Sequence, residues 1–248
     1  MKPIDAHTHI WGGSEDANAA LMLEGADMFG IERIVICPIR GGYYPEPDDI
    51  AQGNTAMIRI VRERPDVFIG CPTVDPRRPD EAKAEIDRAM EAKACNIVKV
   101  WVSCRADSPQ MAQTAEHCVA RGLPLLIHSF YKRPANLQDE STAGHVAILG
   151  RRFPRLRILM AHMAMDWELG IKAVREVPNI SMDFSGSIWQ AGAVEKAVRE
   201  LGVERILFGT DAPGVPFQPK LGQLWGLDVT ESQRELIARG NAIRLLNL

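Results

Sequence analysis

The sequence predicts a single (β/α)₈ barrel, a TIM barrel, over residues 1–248, and three observations predict it. Short apolar, β-branched runs alternate with longer amphipathic stretches, giving about eight β-then-α units in series. The runs rarely alternate apolar with polar residues, as expected for strands buried on both faces of a parallel sheet. A chain of 248 residues is long for an average domain but ordinary for one barrel. Right-handed crossovers leave a closed barrel or an open doubly wound sheet. The unit count favours the barrel, and no G-x-G-x-x-G follows the first run to support a dinucleotide-binding sheet.

The elements follow in order. Residues 4–10 read as a strand, and 14–29 as a helix with Ser14 as N-cap and Gly30 as its stop. Residues 33–38 form the next strand, and 49–64 a helix ended by Pro65. A strand over 67–74 and a helix over 80–93 follow. Next come a strand over 96–102 and a helix over 108–121 closed by Gly122. Residues 123–128, 156–162, 179–184 and 205–209 complete the strands, and 141–153, 167–176, 190–201 and 230–246 the helices.

Composition narrows the function classes. Lys plus Arg number 29 against 32 Asp plus Glu, so the net charge of −3 gives no reason to propose nucleic acid or an anionic membrane as partner. No segment approaches the roughly 20 apolar residues of a membrane span, and the N-terminus lacks the apolar stretch of a signal peptide. Cys37, Cys71, Cys95, Cys104 and Cys118 are odd in number and contain no C-x-x-C. A reducing, cytoplasmic setting fits them better than a disulfide framework. Many barrels associate through their outer helices, so a homo-oligomer is allowed.

The chemistry-bearing residues fall at the C-terminal ends of predicted strands. His7 and His9 end the first, His128 the fifth and His162 the sixth, and Asp211 follows the eighth. In a barrel those ends form the active-site face. Residues i and i+2 of a strand share a face about 6.6–7 Å apart, so His7 and His9 can lean onto one ion at about 2.0–2.1 Å each. Asp5 has the same parity, one step deeper, and is expected to orient them. An H-x-H arises by chance in roughly one such sequence in seven, so the motif alone is weak. The joint placement of the five groups carries the argument. His117 and His145 lie on predicted helices and read as structural.

With these residues on the page, the chain resembles the amidohydrolase superfamily. The group it is most similar to contains aminocarboxymuconate-semialdehyde decarboxylase and various lactonases. The resemblance runs through Asp5-Ala-His-Thr-His9, Pro65-Asp-Val-Phe-Ile-Gly70, Leu126-Ile-His128, Phe153-Pro-Arg-Leu156 with Ala161-His162, Met182-Asp-Phe-Ser185, Arg205-Ile-Leu-Phe-Gly-Thr-Asp-Ala-Pro213 and Asn241-Ala242. It implies a distorted barrel holding one or two divalent metal ions. Zn²⁺ suits imidazoles plus one carboxylate, and Mn²⁺ suits a site richer in oxygen. His7, His9, His128 and Asp211 would be ligands. Asp211 would also act as base, and His162 would polarise the substrate or assist proton transfer. The chain departs from the pattern at Ala164, where relatives often have glycine, at Cys95 and Asn96, and at Ala212.

The expected function is metal-dependent hydrolysis of a small cyclic amide, lactone or ester through an activated water. A bound metal can lower the pKa of water from about 15.7 to about 7, whereas a positioned base alone gives about 10²–10⁴-fold. The alternative is non-oxidative decarboxylation of an aromatic or unsaturated acid, which the same ligand set supports. Lys99 leaves three readings open: a carboxylated lysine bridging two metals, a cation for a substrate carboxylate, or a strand-end lysine running outward. Arg40 is the other expected substrate-binding cation, ahead of Tyr43, Tyr44, Lys132 and Arg133. Trp101 and Trp189 are candidate walls.

Overall fold

The computed structural model describes residues 1–248. Its strands are β1 (Ile4–Trp11), β2 (Arg33–Ile39), β3 (Phe68–Gly70), β4 (Thr73–Val74), β5 (Val98–Val100), β6 (Leu125–Ile127), β7 (Ile158–Met160), β8 (Ile180–Asp183) and β9 (Ile206–Leu207). Helices α1 (Glu15–Phe29), α2 (Pro47–Glu63), α3 (Pro79–Glu91), α4 (Met111–Arg121), α5 (Ala143–Arg152), α6 (Trp167–Val174), α7 (Ala193–Leu201) and α8 (Phe217–Trp225) lie outside them. A terminal run holds α9 (Glu231–Glu235), a π-turn (Leu236–Gly240) and α10 (Asn241–Leu246).

Neighbouring strands are parallel and follow chain order in two sheets, β1-β2-β3 and β4-β5-β6-β7-β8-β9. The sequence run over 67–74 splits into β3 and β4 because Pro72 has no amide to give the ladder. The two sheets are nevertheless joined there. Cys71 N donates to Ile36 O at 3.2 Å, and Lys99 N donates to Pro72 O at 2.8 Å. On the other side, Ala6 N donates to Phe208 O at 3.0 Å, His9 N to Ala212 O at 2.7 Å, and Asp211 N to His7 O at 2.8 Å. These bonds connect the last strand to the first and complete the ring.

Inside the ring, Ala6, Val35, Ile69, Ile97, Leu126 and Leu159 form a buried apolar layer. Ala242, Leu245 and Leu246 of α10 close it from the N-terminal end. Each Val, Ile or Leu of this layer contributes roughly 1.5–3 kcal/mol by leaving water. The larger cluster lies between strands and helices, where Phe68, Val98, Leu125 and Ile158 meet Met57, Ile86 and Val146. With one end plugged, only the C-terminal end of the ring is open to ligands.

Two elements differ from the sequence reading. The terminal helix predicted over 230–246 is interrupted by the π-turn, whose Ile237 carbonyl accepts from Phe208 N at 3.0 Å. Helix α8 was not expected, because Pro213, Pro216, Pro219 and Gly222 read locally as a loop. His117 and His145 are structural. The first meets Asp87 Oδ1 at 2.9 Å, and the second caps α5 by accepting from Thr142 N at 3.1 Å.

Candidate metal centre

His7 and His9 are both buried at the open end of β1. The strand is not regular: its pairing with β2 shifts register between Asp5 and Thr8. The extra residue changes the parity. Ile4 and Ala6 belong to the interior layer below, and His7 and His9 face the centre above. Asp5 therefore does not share their face, contrary to simple alternation. Its orienting role survives by another route. Asp5 Oδ1 accepts from His7 N at 3.2 Å and Thr210 N at 3.0 Å, and Oδ2 accepts from Thr210 Oγ1 at 2.6 Å. Burial pushes the Asp5 carboxyl up to about 7 against these bonds.

Asp183, at the end of β8, organises two of the histidines. Its Oδ2 lies 3.1 Å from His7 Nδ1, and its Oδ1 accepts from His162 N at 2.9 Å and Ser185 N at 3.0 Å. Burial alone would raise this carboxyl, but the His7 imidazole and these donors hold it far below the usual range. His7 itself is lowered to about 4, first by burial and then by Lys99. An ionised Asp183 beside a neutral His7 makes Nδ1–H the donor and turns the Nε2 lone pair toward the centre, where Lys99 Nζ stands 3.0 Å away. Ser185 Oγ donates to Asp183 and accepts from His162 Nδ1 at 2.9 Å, so His162 also keeps Nε2 free. His9 Nδ1 lies 3.4 Å from Cys37 O, and its Nε2 lies 3.1 Å from Asp211 Oδ1.

His162 reaches the centre by a different backbone. Residues 162–165 turn left-handed, with φ of 61° at His162, 44° at Met163, 60° at Ala164 and 63° at Met165. For residues with a Cβ this costs roughly 1–2 kcal/mol each. The turn is held by Met165 N donating to His162 O at 2.7 Å and Tyr131 N donating to Ala164 O at 2.9 Å. Gly170 makes room for it: a Cβ there would stand 2.4 Å from Met163 O. Asp211 also has a left-handed backbone, φ 74°. Burial raises its carboxyl, but the His162, His9 and His7 imidazoles outweigh that and hold it far below the usual range.

The donor atoms of His7, His9 and Asp211 lie within 4.8 Å of one another, as do those of His7, His162 and Asp183. The first set fits a divalent cation better, because Asp183 already spends its oxygens on His7, Ser185 and backbone amides. In the first set each imidazole has Nδ1 fixed by a protein acceptor and turns Nε2 to the centre, where Lys99 Nζ and Asp211 Oδ1 face it, the arrangement metal-ligating histidines usually show.

The remaining candidates divide. Lys99 is fully buried inside the ring, with Nζ 3.0 Å from His7 Nε2. That excludes the outward run and leaves the other two readings. His128 stands beside His162, ring centroids 5.1 Å apart, but its Nε2 is 3.0 Å from Glu140 Oε1 and it belongs to neither ligand set. Arg40 is occupied by Glu15 at 3.1 Å and Asp49 at 3.7 Å, beside a slot lined by Tyr43 and Trp101. Aromatic rings border the centre: Trp11 is 5.4 Å from His9, Trp101 is 6.3 Å from Trp11, and Phe130 stacks on His128 at 5.1 Å. Trp189 is half exposed and lies over Lys220.

The family model described as amidohydrolase matches residues 4–248. The chain belongs to the amidohydrolase family. Among solved structures, it is similar to 2,6-dihydroxybenzoate decarboxylase from Rhizobium, with TM-score 0.82 and 19% identity over 100% of this chain and 99% of that one. A dihydroxybenzoic acid decarboxylase from Polaromonas sp. JS666, holding manganese and 2-nitroresorcinol, gives 0.81 and 17% over 100% and 97%. The 5-carboxyvanillate decarboxylase from Sphingomonas paucimobilis gives 0.78 and 20% over 96% and 86%. No curated protein matches. These likenesses establish the barrel fold.

Sequence reasoning assigned no role to Asp183, Ser185 or Glu140. Asp183 and Ser185 lie in the Met182–Ser185 segment that carries part of the resemblance, at a strand end where a buried carboxylate is expensive without partners. That was the available signal. Glu140 had none, because it sits in a loop of mixed polarity.

Proposed function

We propose that this amidohydrolase-family protein catalyses metal-dependent, non-oxidative decarboxylation of an aromatic or unsaturated carboxylic acid. The observation that carries the reading is the aromatic border of the centre, where Trp11, Trp101, Tyr43 and Phe130 connect through His9 and His128. Such walls suit a planar substrate, since ring pairs prefer offset or edge contacts at about 4.5–7 Å between centroids. The barrel's likeness to decarboxylases of dihydroxybenzoates and carboxyvanillate supports the same choice.

His7, His9 and Asp211 would hold a divalent metal, His128 would join them through the Nδ1 that Glu140 leaves open, and His162 would stand at its edge. When bound, the metal supplies Lewis-acid stabilisation of negative charge on the substrate. Mn²⁺ is favoured by the manganese in a similar structure, and Zn²⁺ remains compatible with the imidazoles. The reaction replaces a carbon–carboxylate bond with a carbon–hydrogen bond. The bond pair stays on the substrate carbon, CO₂ leaves, and one proton must be delivered. His162 would hand over that proton through the nitrogen that Ser185 leaves free, and the ionised Asp211 would stabilise the donor by its charge. The half-buried rings of Trp11, Trp101 and Phe130 would limit the access of bulk water to the carbanionic carbon.

Lys99 sustains a second reading, hydrolysis of a cyclic amide, lactone or ester. Its Nζ lies 3.0 Å from His7 Nε2, so a carboxylated Lys99 would offer carbamate oxygens as metal ligands beside that histidine. Incubation of Mn²⁺-loaded protein with dihydroxybenzoates and 5-carboxyvanillate, with CO₂ as readout, separates the two. Release of CO₂ supports decarboxylation. Ring opening of lactones without CO₂ release overturns it. No helix is long and apolar enough to cross a membrane, and all five cysteines are free. We take a reducing, cytoplasmic setting and a small-molecule substrate as part of the same proposal.

A further inference from the structure

Four histidines surround the centre, and three of them are fixed in the same sense. His7, His9 and His162 each point Nδ1 at a protein partner and keep Nε2 for the centre. His128 is reversed. Its Nε2 faces Glu140 Oε1 at 3.0 Å, leaving Nδ1 as the free nitrogen. Glu140 is buried in the loop after β6, and the same oxygen is 2.6 Å from Lys132 Nζ. The other oxygen accepts from Leu137 N at 3.3 Å. Every proton near this carboxylate is therefore donated to it.

We propose that Glu140 is a positioning residue: it fixes His128 as the Nε2–H tautomer, so that Nδ1 is the nitrogen offered to metal or substrate. Lys132 neutralises the carboxylate and ties it to the rim, where the ammonium lies over Phe130 and Tyr43 at 5.5 and 5.8 Å. Phe130, stacked on the His128 ring with planes 10° apart, blocks a ring flip that would exchange the two nitrogens. The loop that carries Glu140 thus decides which atom of a strand-end histidine works. The effect of Glu140 on metal affinity rests on the metal-centre reading above; its effect on the tautomer does not.

The test uses full-length protein. In metal-free protein, long-range ¹⁵N–¹H correlation of the imidazoles, with His128 assigned by its loss in His128→Asn, should place the proton on Nε2. A proton on Nδ1 overturns the proposal. Glu140→Leu should weaken Mn²⁺ binding, followed by calorimetry, by about 10–100-fold, the usual effect of losing a carboxylate behind a histidine ligand. Glu140→Gln keeps a carbonyl acceptor and should recover most of that loss. Equal Mn²⁺ affinity in wild type and a folded Glu140→Leu overturns the proposal. If wild type binds no Mn²⁺, the metal-centre reading fails and the tautomer alone decides the role of Glu140.

Discussion

The end of β1 and the end of β7 each deliver histidine to one centre, yet they are built in opposite ways. At β1 the chain is extended, and the bulge before Thr8 lets His7 and His9 face inward together. At β7 the strand stops at Met160, and His162 arrives on four successive left-handed residues. The first delivery is unstrained. The second costs several kcal/mol at roughly 1–2 kcal/mol per residue, met by packing and by the Asp183 bond to His162 N. The difference teaches that a pair of buried histidines can be aimed by ordinary strand geometry, while a third group reaches the same centre only through local strain.

The largest expected effects would break this division directly. His9→Asn should reduce Mn²⁺ affinity by more than about 100-fold, since a ligand counts for more than its supporting partner. His162→Asn should keep Mn²⁺ while turnover falls by about 10²–10⁴-fold, the range for a general acid or base. Calorimetry and a CO₂ assay read the two, and loss of Mn²⁺ in His162→Asn would erase the distinction. Asp211→Asn should abolish turnover but retain some Mn²⁺.

Asp183 supports both regions, so Asp183→Asn should damage both at once. Hydrogen bonds to a charged group contribute roughly 1.5–3 kcal/mol each against about 0.5–1.5 for neutral ones, so a loss of about 2–4 kcal/mol is expected, and denaturant unfolding of metal-free protein measures it. Acid should act on the same network. His7 is ordinarily near 6.5 and is held at about 4 in the fold. The unfolded chain therefore binds the extra proton. Stability is present above 6.5 and is lost as pH falls toward 4, by about 3 kcal/mol for His7 alone. Burial lowers His128 and His162 as well, which adds to the loss. Asp5, raised from 3.8 to about 7, works in the opposite direction over the same interval. Three histidines should outweigh one carboxyl, so the melting temperature of metal-free protein should drop between pH 6.5 and 4. A rise there would put Asp5 in control.

The smallest effect is the sharpest comparison. Ala164→Gly relieves a left-handed residue worth roughly 1–2 kcal/mol but deletes a buried methyl worth about 0.8 kcal/mol. Glycine's freedom in the unfolded chain costs a further ~0.5–1 kcal/mol, so the melting temperature should stay within about 2 °C of wild type. Ala6→Gly, on the extended strand, loses the methyl and gains backbone freedom in the unfolded chain, so it should destabilise by about 1.5 kcal/mol. Calorimetry should show a clear loss for Ala6→Gly and little change for Ala164→Gly. Equal losses would mean that the two strand ends are built alike.

The strands and most helices were legible because burial on both faces demands continuous apolar runs, and helix ends carry Pro and Gly. The residues His7, His9, His162 and Asp211 were legible because barrel topology collects strand ends at one face. Helix α8 was not, since its prolines and glycines look like a loop until the ring packs them. The parity of Asp5 was not, since a bulge depends on the neighbouring strand's register.

By itself, the sequence determined the barrel, the face where the candidate groups gather and the residue types found there. Those follow from period and order, which are local properties of a chain. Only the tertiary structure decided how each group is set: Lys99 turned inward onto His7, His162 bent to the centre by a left-handed turn, and His128 reversed by Glu140. The reason is physical. Burial removes water as the default partner, so each buried charge and ring nitrogen takes the partner that packing brings to it, and no local pattern records which one that is.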